Sequence, residues 1–246
     1  MENRLKKYDH SLFQKGLSEL GMELTEEQLS LFDSYYELLV EKNKVMNLTG
    51  ITEYGEVVTK HFLDSLSLVK VKELAGRTMR VLDLGTGAGF PGLPLKIAFP
   101  ELHITLMDSL NKRILFLQEV IDLLGLSGIT AVHARAEEAA RRQEYREAYD
   151  LCVSRAVAKL NSLSEFCLPF VRPGGCFIPY KSGTIEEELS EARRAIRELG
   201  GRYQKTERFF LPDSTMERTL LVILKERETP GKYPRAGGKP LKQPIV

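Results

Sequence analysis

The run Asp83-Leu84-Gly85-Thr86-Gly87-Ala88-Gly89-Phe90-Pro91-Gly92 is where residue type and spacing point most directly to chemistry. An apolar segment ends there, and glycines at 85, 87 and 89 let the backbone approach a ligand where a Cβ would clash. Asp108, 23 residues after Gly85, ends the next apolar segment and is placed to accept hydrogen bonds from ribose hydroxyls. Together these features predict a nucleoside-containing cofactor in the crevice at the strand ends. A glycine loop that only makes a tight turn leaves Asp108 without a task. Metal and disulfide chemistry are not expected. Cys152, Cys167 and Cys176 show no CxxC spacing, and His10, His61, His103 and His133 form no HExxH pair.

The elements that must position this loop follow from the pattern of the chain. Strands are predicted at Val81–Leu84, His103–Met107, Ile129–His133, Tyr149–Val153, Cys176–Tyr180, Tyr203–Phe210 and Thr219–Leu224. Helices are predicted through Ile97, over Asn111–Leu124, Leu160–Val171 and Ile185–Leu199. Strand–helix alternation predicts an α/β fold with a parallel sheet, and the short link between the last two strands makes that pair antiparallel. Residues 1–70 read as a helical N-terminal region. A short helix at Ser11–Leu20 precedes the capping box Thr25-Glu26-Glu27-Gln28, and a further helix runs from about Glu53 to Val69. Residues 71–228 form the cofactor-binding domain. Residues 229–246 carry Lys232, Arg235, Lys239 and Lys242 with no acid, and their four prolines and three glycines read as an extended basic arm. The bland alternative docks that arm through Tyr233, Leu241 and Ile245.

The 246 residues carry a net charge of +1, so a polyanionic partner must be met by a local surface such as the arm. The longest uncharged stretches are far shorter than the roughly twenty apolar residues of a membrane span. The start, Met1-Glu2-Asn3-Arg4, lacks a signal peptide's apolar segment, so the expectation is a cytoplasmic protein.

Two frames compete for the loop. Gly87–Gly92 satisfies the dinucleotide pattern GxGxxG, but it starts two residues late, and Pro91 and Pro94 remove amide donors that a pyrophosphate would need. The frame Asp-x-Gly-x-Gly-x-Gly resembles motif I of class I S-adenosylmethionine (SAM) methyltransferases. That resemblance implies a Rossmann-like sheet with an antiparallel last strand. It also implies that Asp83 helps orient the methionine amino group.

Further residues narrow the likeness. Leu82–Lys96, LDLGTGAGFPGLPLK, resembles the signature of the RsmG (GidB) family of bacterial small-subunit rRNA guanine-N7 methyltransferases. Asn47-Leu48-Thr49, His61-Phe62-Leu63-Asp64-Ser65, Arg135-Ala136-Glu137, Ser154-Arg155-Ala156 and the tail from Tyr233 agree in order and spacing. Ser182, standing between Lys181 and Gly183, departs from the pattern locally. The resemblance implies SAM contacts at Gly85, Phe90, Ala136, Glu137 and Arg155, beside Asp83, Gly87, Gly89 and Asp108 from the loop reading. Arg155, at the end of the fourth strand, is the catalytic candidate. Its bland reading is a surface arginine, and that of Phe90 is plain core. Lys112, Arg113, Lys181 and the four arm cations are candidate RNA contacts, with solvated or locally paired side chains as the alternative. His61 and Asp64, three apart on one helical face, are open between a local hydrogen bond and a substrate role.

The implied partner is a loop guanine of 16S rRNA, in the small ribosomal subunit or an assembly intermediate. Its N7 lone pair is attacked without a general base. The sequence lacks an Asn/Asp-Pro-Pro-Tyr cluster and paired catalytic cysteines, and Cys152 reads as core. A SAM-dependent enzyme for a small molecule or protein, and a non-catalytic RNA-binding module, stay open as other classes.

Overall fold

The computed structural model describes residues 8–155 and 158–246. Five parallel strands, β1 (Arg80–Leu84), β2 (His103–Asp108), β3 (Ile129–His133), β4 (Tyr149–Ser154) and β5 (Val171–Lys181), form most of one sheet. β7 (Glu217–Lys225) inserts antiparallel between β5 and β6 (Gly201–Phe210), giving the order β3-β2-β1-β4-β5-β7-β6. The order reverses between β1 and β4, and that switch point opens a crevice at the strands' carboxyl ends. Successive side chains point to opposite faces, so Val81, Val153 and Ile178 enter one core while Leu82, Cys152 and Phe177 enter the other.

The first core is covered by the helical N-terminal region together with α5 (Gly92–Ala98) and α6 (Asn111–Leu123). α1 (Ser11–Glu19) is followed by α2 (Glu26–Met46), whose capping box forms as predicted. Thr25 Oγ1 accepts from the Gln28 amide at 3.2 Å, and the Gln28 side chain accepts from the Thr25 amide at 2.9 Å. Gln28 Nε2 also donates to the Ile97 carbonyl at 2.9 Å, tying α2 to α5. Phe13, Phe32 and Phe62 pack ring against ring in the shared core. The helix predicted over 53–69 is a composite. α3 (Tyr54–Val57) passes into a π-helical turn, Val58–Leu63, then α4 (Asp64–Leu66) and a 3₁₀ turn, Ser67–Lys70.

The second core is covered by α7 (Ala136–Ala139), α8 (Leu160–Cys167) and α9 (Glu186–Glu198). The helix predicted to Val171 ends at Cys167, because a 3₁₀ turn containing Pro169 leads straight into β5. No helix among the described residues is long and apolar enough to cross a membrane.

Residues 229–246 are not an extended arm, which corrects the expectation from composition. They form a strap packed on α8 and α9 and include a short helix, α10 (Lys239–Lys242). Tyr233 and Ile245 are buried in the second core, and the Tyr233 hydroxyl donates to Glu198 at 2.6 Å. Arg141 and Arg146 donate to strap carbonyls, including Pro234 at 2.7 Å and Thr229 at 2.7 Å. Arg235, proposed above for RNA, forks onto both oxygens of Glu165, at 2.9 and 2.6 Å, and the Glu165 side chain is fully buried. The prolines and glycines shape a docked path rather than a free one. Lys232, Lys239 and Lys242 remain exposed.

Removing one partner of a buried ion pair strands the other charge, at a cost of about 3 kcal/mol. Glu165→Ala should therefore lower the thermal midpoint clearly, whereas Lys239→Ala with Lys242→Ala should leave it unchanged. Calorimetry on both variants checks this.

Candidate functional site

The glycine loop closes on two carboxylates. Asp83, at the end of β1, is fully buried, and its Oδ2 accepts from the Thr86 hydroxyl at 2.6 Å and the Gly92 amide at 2.8 Å. Burial pushes its carboxyl up to about 7, against those two hydrogen bonds. Asp83 Oδ1 is buried with no partner. Asp108, at the end of β2, accepts from the Gly87 amide at 3.0 Å, the Leu110 amide at 2.9 Å and Arg113 at 3.1 Å.

Most of the loop's remaining amides are engaged as well. Gly85 and Thr86 donate to the Met107 carbonyl, Gly89 and Phe90 to Thr86, and Leu93 to Gly89. Pro91 has no amide to offer. This loop therefore has no row of free N–H groups to cradle a pyrophosphate. Gly85 and Gly87 hold left-handed backbone, at φ +72° and +63°, and a side chain at Gly87 would meet nothing within 4 Å.

A cavity of about 570 Å³ opens above the loop, lined by Gly85, Thr86, Gly87, Ala88, Phe90 and Asp108, with Leu48, Thr49, His61, Ser109, Arg113 and Arg155. The structure thus brings Gly85, Gly87, Phe90, Asp108 and Arg155 together, as the sequence reading proposed. It moves others. Asp83 lies beneath the loop as its clasp rather than on the cavity wall. Gly89 is a packing glycine, since a Cβ there would stand 2.4 Å from Leu93 and 2.9 Å from the Tyr35 hydroxyl. Ala136 and Glu137 begin α7 beyond β3 and do not line this cavity.

The cations divide in the same way. Arg113 pairs with Asp108 at 3.1 Å, which offsets its unfavourable place at the start of α6. Lys112 is exposed and reaches the Met46 carbonyl at 3.3 Å. Lys181 is drawn inward, donating to the Ala158 carbonyl at 2.6 Å and to Glu188 at 2.7 Å.

Arg155 follows β4, and its neighbour Ala156, part of the quoted triplet, lies outside the described residues. Its guanidinium donates to Ser65 Oγ at 3.1 Å and to the His61 and Lys60 carbonyls, each at 3.3 Å, and pairs with Asp64 at 3.2 Å. It also lies 5.5 Å from the Phe90 ring centroid, a cation–π contact. His61 stacks on the same Phe90 ring, with centroids 4.5 Å apart, and bonds Thr49 Oγ1 at 2.8 Å. Asp64 turns to Arg218 at 3.1 Å as well as to Arg155, so the two residues left open by sequence both serve Arg155.

Sequence reasoning missed Tyr35, Thr86, Ser65 and Arg218. The Tyr35 hydroxyl donates to the Ala88 carbonyl at 2.5 Å, joining α2 to the loop. Thr86 sits inside the glycine run, where a hydroxyl three residues after a buried acid was the available signal. Arg218 had none. Cys152 is core, as expected, with burial pushing its thiol up.

Burial, with Arg155 alongside, pushes His61 down to about 3 from its usual 6.5. The unfolded chain binds a proton between those values that the folded chain refuses, so stability is full above 6.5 and is lost as pH falls toward 3. Between pH 7 and 5 wild type should lose about 2 kcal/mol more stability than His61→Gln. Denaturant titrations at both pH values measure the difference.

Comparison with known proteins agrees with this geometry. Residues 28–216 match the GidB family, described as rRNA small subunit methyltransferase G. A Lachnoclostridium phytofermentans protein named ribosomal RNA small subunit methyltransferase G is 59% identical, over 97% of this chain and 98% of its own. Its namesake from an Exiguobacterium species is 47% identical, over 97% of this chain and 100% of its own. In fold alone, a solved SAM-dependent methyltransferase from Aquifex aeolicus is similar, with a TM-score of 0.53 at 16% identity, over 72% of this chain and 97% of that one. With a family match over residues 28–216 and relatives aligned nearly end to end, the chain belongs to the rRNA small subunit methyltransferase G family.

Proposed function

We propose that this protein methylates N7 of a loop guanine in 16S rRNA, using SAM, within the small ribosomal subunit or an assembly intermediate. The observation that carries the cofactor is the engaged amide row. A dinucleotide's pyrophosphate finds no row of free donors there, with Gly85, Thr86, Gly87, Gly89 and Phe90 all donating within the protein, whereas SAM has no phosphate to satisfy. Cavity and residues fit SAM in other respects too. Gly85 lines the cavity and Gly87 leaves open space against bare backbone, Asp108 Oδ1 keeps acceptor capacity for ribose hydroxyls, and the His61–Phe90 stack forms an apolar wall.

When bound, SAM supplies a methyl carbon activated by its sulfonium, whose carbon–sulfur electron pair returns to sulfur. The chain's own part is to position and to exclude water. Asp108 orients the nucleoside end, and Arg155 fixes the boundary between donor cavity and acceptor side. Guanine N7 brings a neutral lone pair, so no side chain has to remove a proton. The site suits that requirement. His61 stays neutral with both ring nitrogens engaged, and Asp64 is held between two arginines. In A-form RNA the N7 edge faces a groove too deep and narrow for side chains, so the target guanine has to sit in a loop or be turned out of its stack.

Nucleoside mass spectrometry of small-subunit rRNA, from cells with and without the protein, tests the reading. Loss of one 7-methylguanosine is expected, and an unchanged 7-methylguanosine content would sink it. Asp108→Asn should weaken SAM binding about 10- to 150-fold, the effect of a lost hydrogen bond to a charged acceptor. Titration calorimetry on the folded variant measures it.

A further inference from the structure

On the far side of Arg155 lies a second and larger cavity, about 860 Å³, between α9 and the ends of β5 and β7. Arg155 is the residue common to the linings of this cavity and the glycine-loop cavity. Donor and acceptor must meet across such a boundary, so the second cavity is where an acceptor base fits. Its wall is charged yet balanced, and nearly every charge already has a partner. Asp64 is held by Arg155 and Arg218, Glu188 by Lys181 at 2.7 Å and the Leu160 amide at 2.5 Å, and Glu191 by Lys159 at 3.1 Å. Glu187, in the first turn of α9, is the exception. Among the described residues it makes no hydrogen bond or ion pair, and it faces this cavity from α9.

The chemistry of the base says what such a carboxylate would read. Guanine carries acceptors on one edge, N7 and O6, and donors on the other, N1–H and the N2 amino group. If N7 faces the donor cavity past Arg155, the donor edge points away from it, toward the α9 side. A free carboxylate there accepts two hydrogen bonds side by side, a match that neither adenine nor a pyrimidine reproduces. We propose that Glu187 is a specificity-determining residue that accepts hydrogen bonds from N1–H and the N2 amino group of the target guanine. This rests on the N7-methylation reading and adds to it the means of choosing the base.

The test uses the full-length protein and small subunits reconstituted with rRNA bearing guanosine or inosine at the methylated position. Inosine keeps N7, O6 and N1–H but lacks the N2 amino group. In single-turnover methyl transfer, wild type should prefer guanosine to inosine by about 10-fold or more, the effect of one hydrogen bond to a charged group. Glu187→Ala should lose on guanosine and so erase most of that preference, with SAM affinity unchanged by calorimetry. Glu187→Gln, which still accepts one hydrogen bond, should fall between them. If Glu187→Ala keeps the wild-type preference, loses equally on both substrates or gains activity, the proposal is overturned. Absence of N7 transfer by wild type would instead remove the reading beneath it.

Discussion

The guanidinium of Arg155 is the constraint on which the two cavities depend. A cation taken largely out of water is tolerated only with partners for its charge and for its N–H groups. All the polar partners named for this one lie between Lys60 and Ser65. The π-helical turn explains how so short a segment supplies them. Its altered pattern brings the Lys60 and His61 carbonyls to Arg155, and Ser65 Oγ adds both a donor to His61 at 2.6 Å and an acceptor to Arg155. Asp64 then draws in Arg218 from β7. The end of β4, the N-terminal helical layer and the antiparallel strand are thus joined at one carboxylate. Because they are joined there, the crevice over the sheet divides into the glycine-loop cavity and the larger cavity beside α9.

The same logic runs through the glycine loop, where the scarce resource is the amide proton. A loop that turned its N–H groups outward would bind phosphate. Here Asp83, Asp108 and the Met107 and Thr86 carbonyls take most of them in. Asp83 carries the strain of this arrangement. It is a buried carboxyl with one oxygen satisfied twice and the other not at all, which is why burial outweighs its hydrogen bonds. Tyr35 closes the structure from above, through the Ala88 carbonyl. The N-terminal helices therefore hold the glycine loop and wall its cavity rather than forming an appendage to it.

Features decided within a few residues were legible in the sequence. The Thr25–Gln28 capping box, the strand at Ile129–His133 and the glycine loop with Asp108 are local patterns, and each formed where it was placed. What failed depended on partners far away in the chain. Arg235 looks like any arm cation until Glu165, 70 residues earlier, is brought beneath it. Gly89 looks like a ligand glycine until Tyr35 arrives from α2. Lys181 looks free until the Ala158 carbonyl, 23 residues earlier, is brought against it. The π turn is invisible for the same reason, since its sequence favours an ordinary helix and Arg155 repays the irregular one.

The strap shows why composition misleads about function as well as fold. Proline and glycine suit a free tail, but they equally suit a chain that must turn repeatedly while hugging a surface. Docking changes what its lysines can do. A free tail loses conformational freedom when it meets a polyanion, and that loss weakens binding. In this strap the ordering is completed during folding by Tyr233, Ile245 and the Arg235–Glu165 pair. Ser162 Oγ, in the first turn of α8, donates to the Pro240 carbonyl at 2.7 Å, so the turn that carries Lys239 and Lys242 is anchored to α8 three residues along from Lys159, which lines the larger cavity. On a chain of nearly balanced charge, fixed placement of a few exposed cations does more to orient a polyanion than a larger but mobile excess.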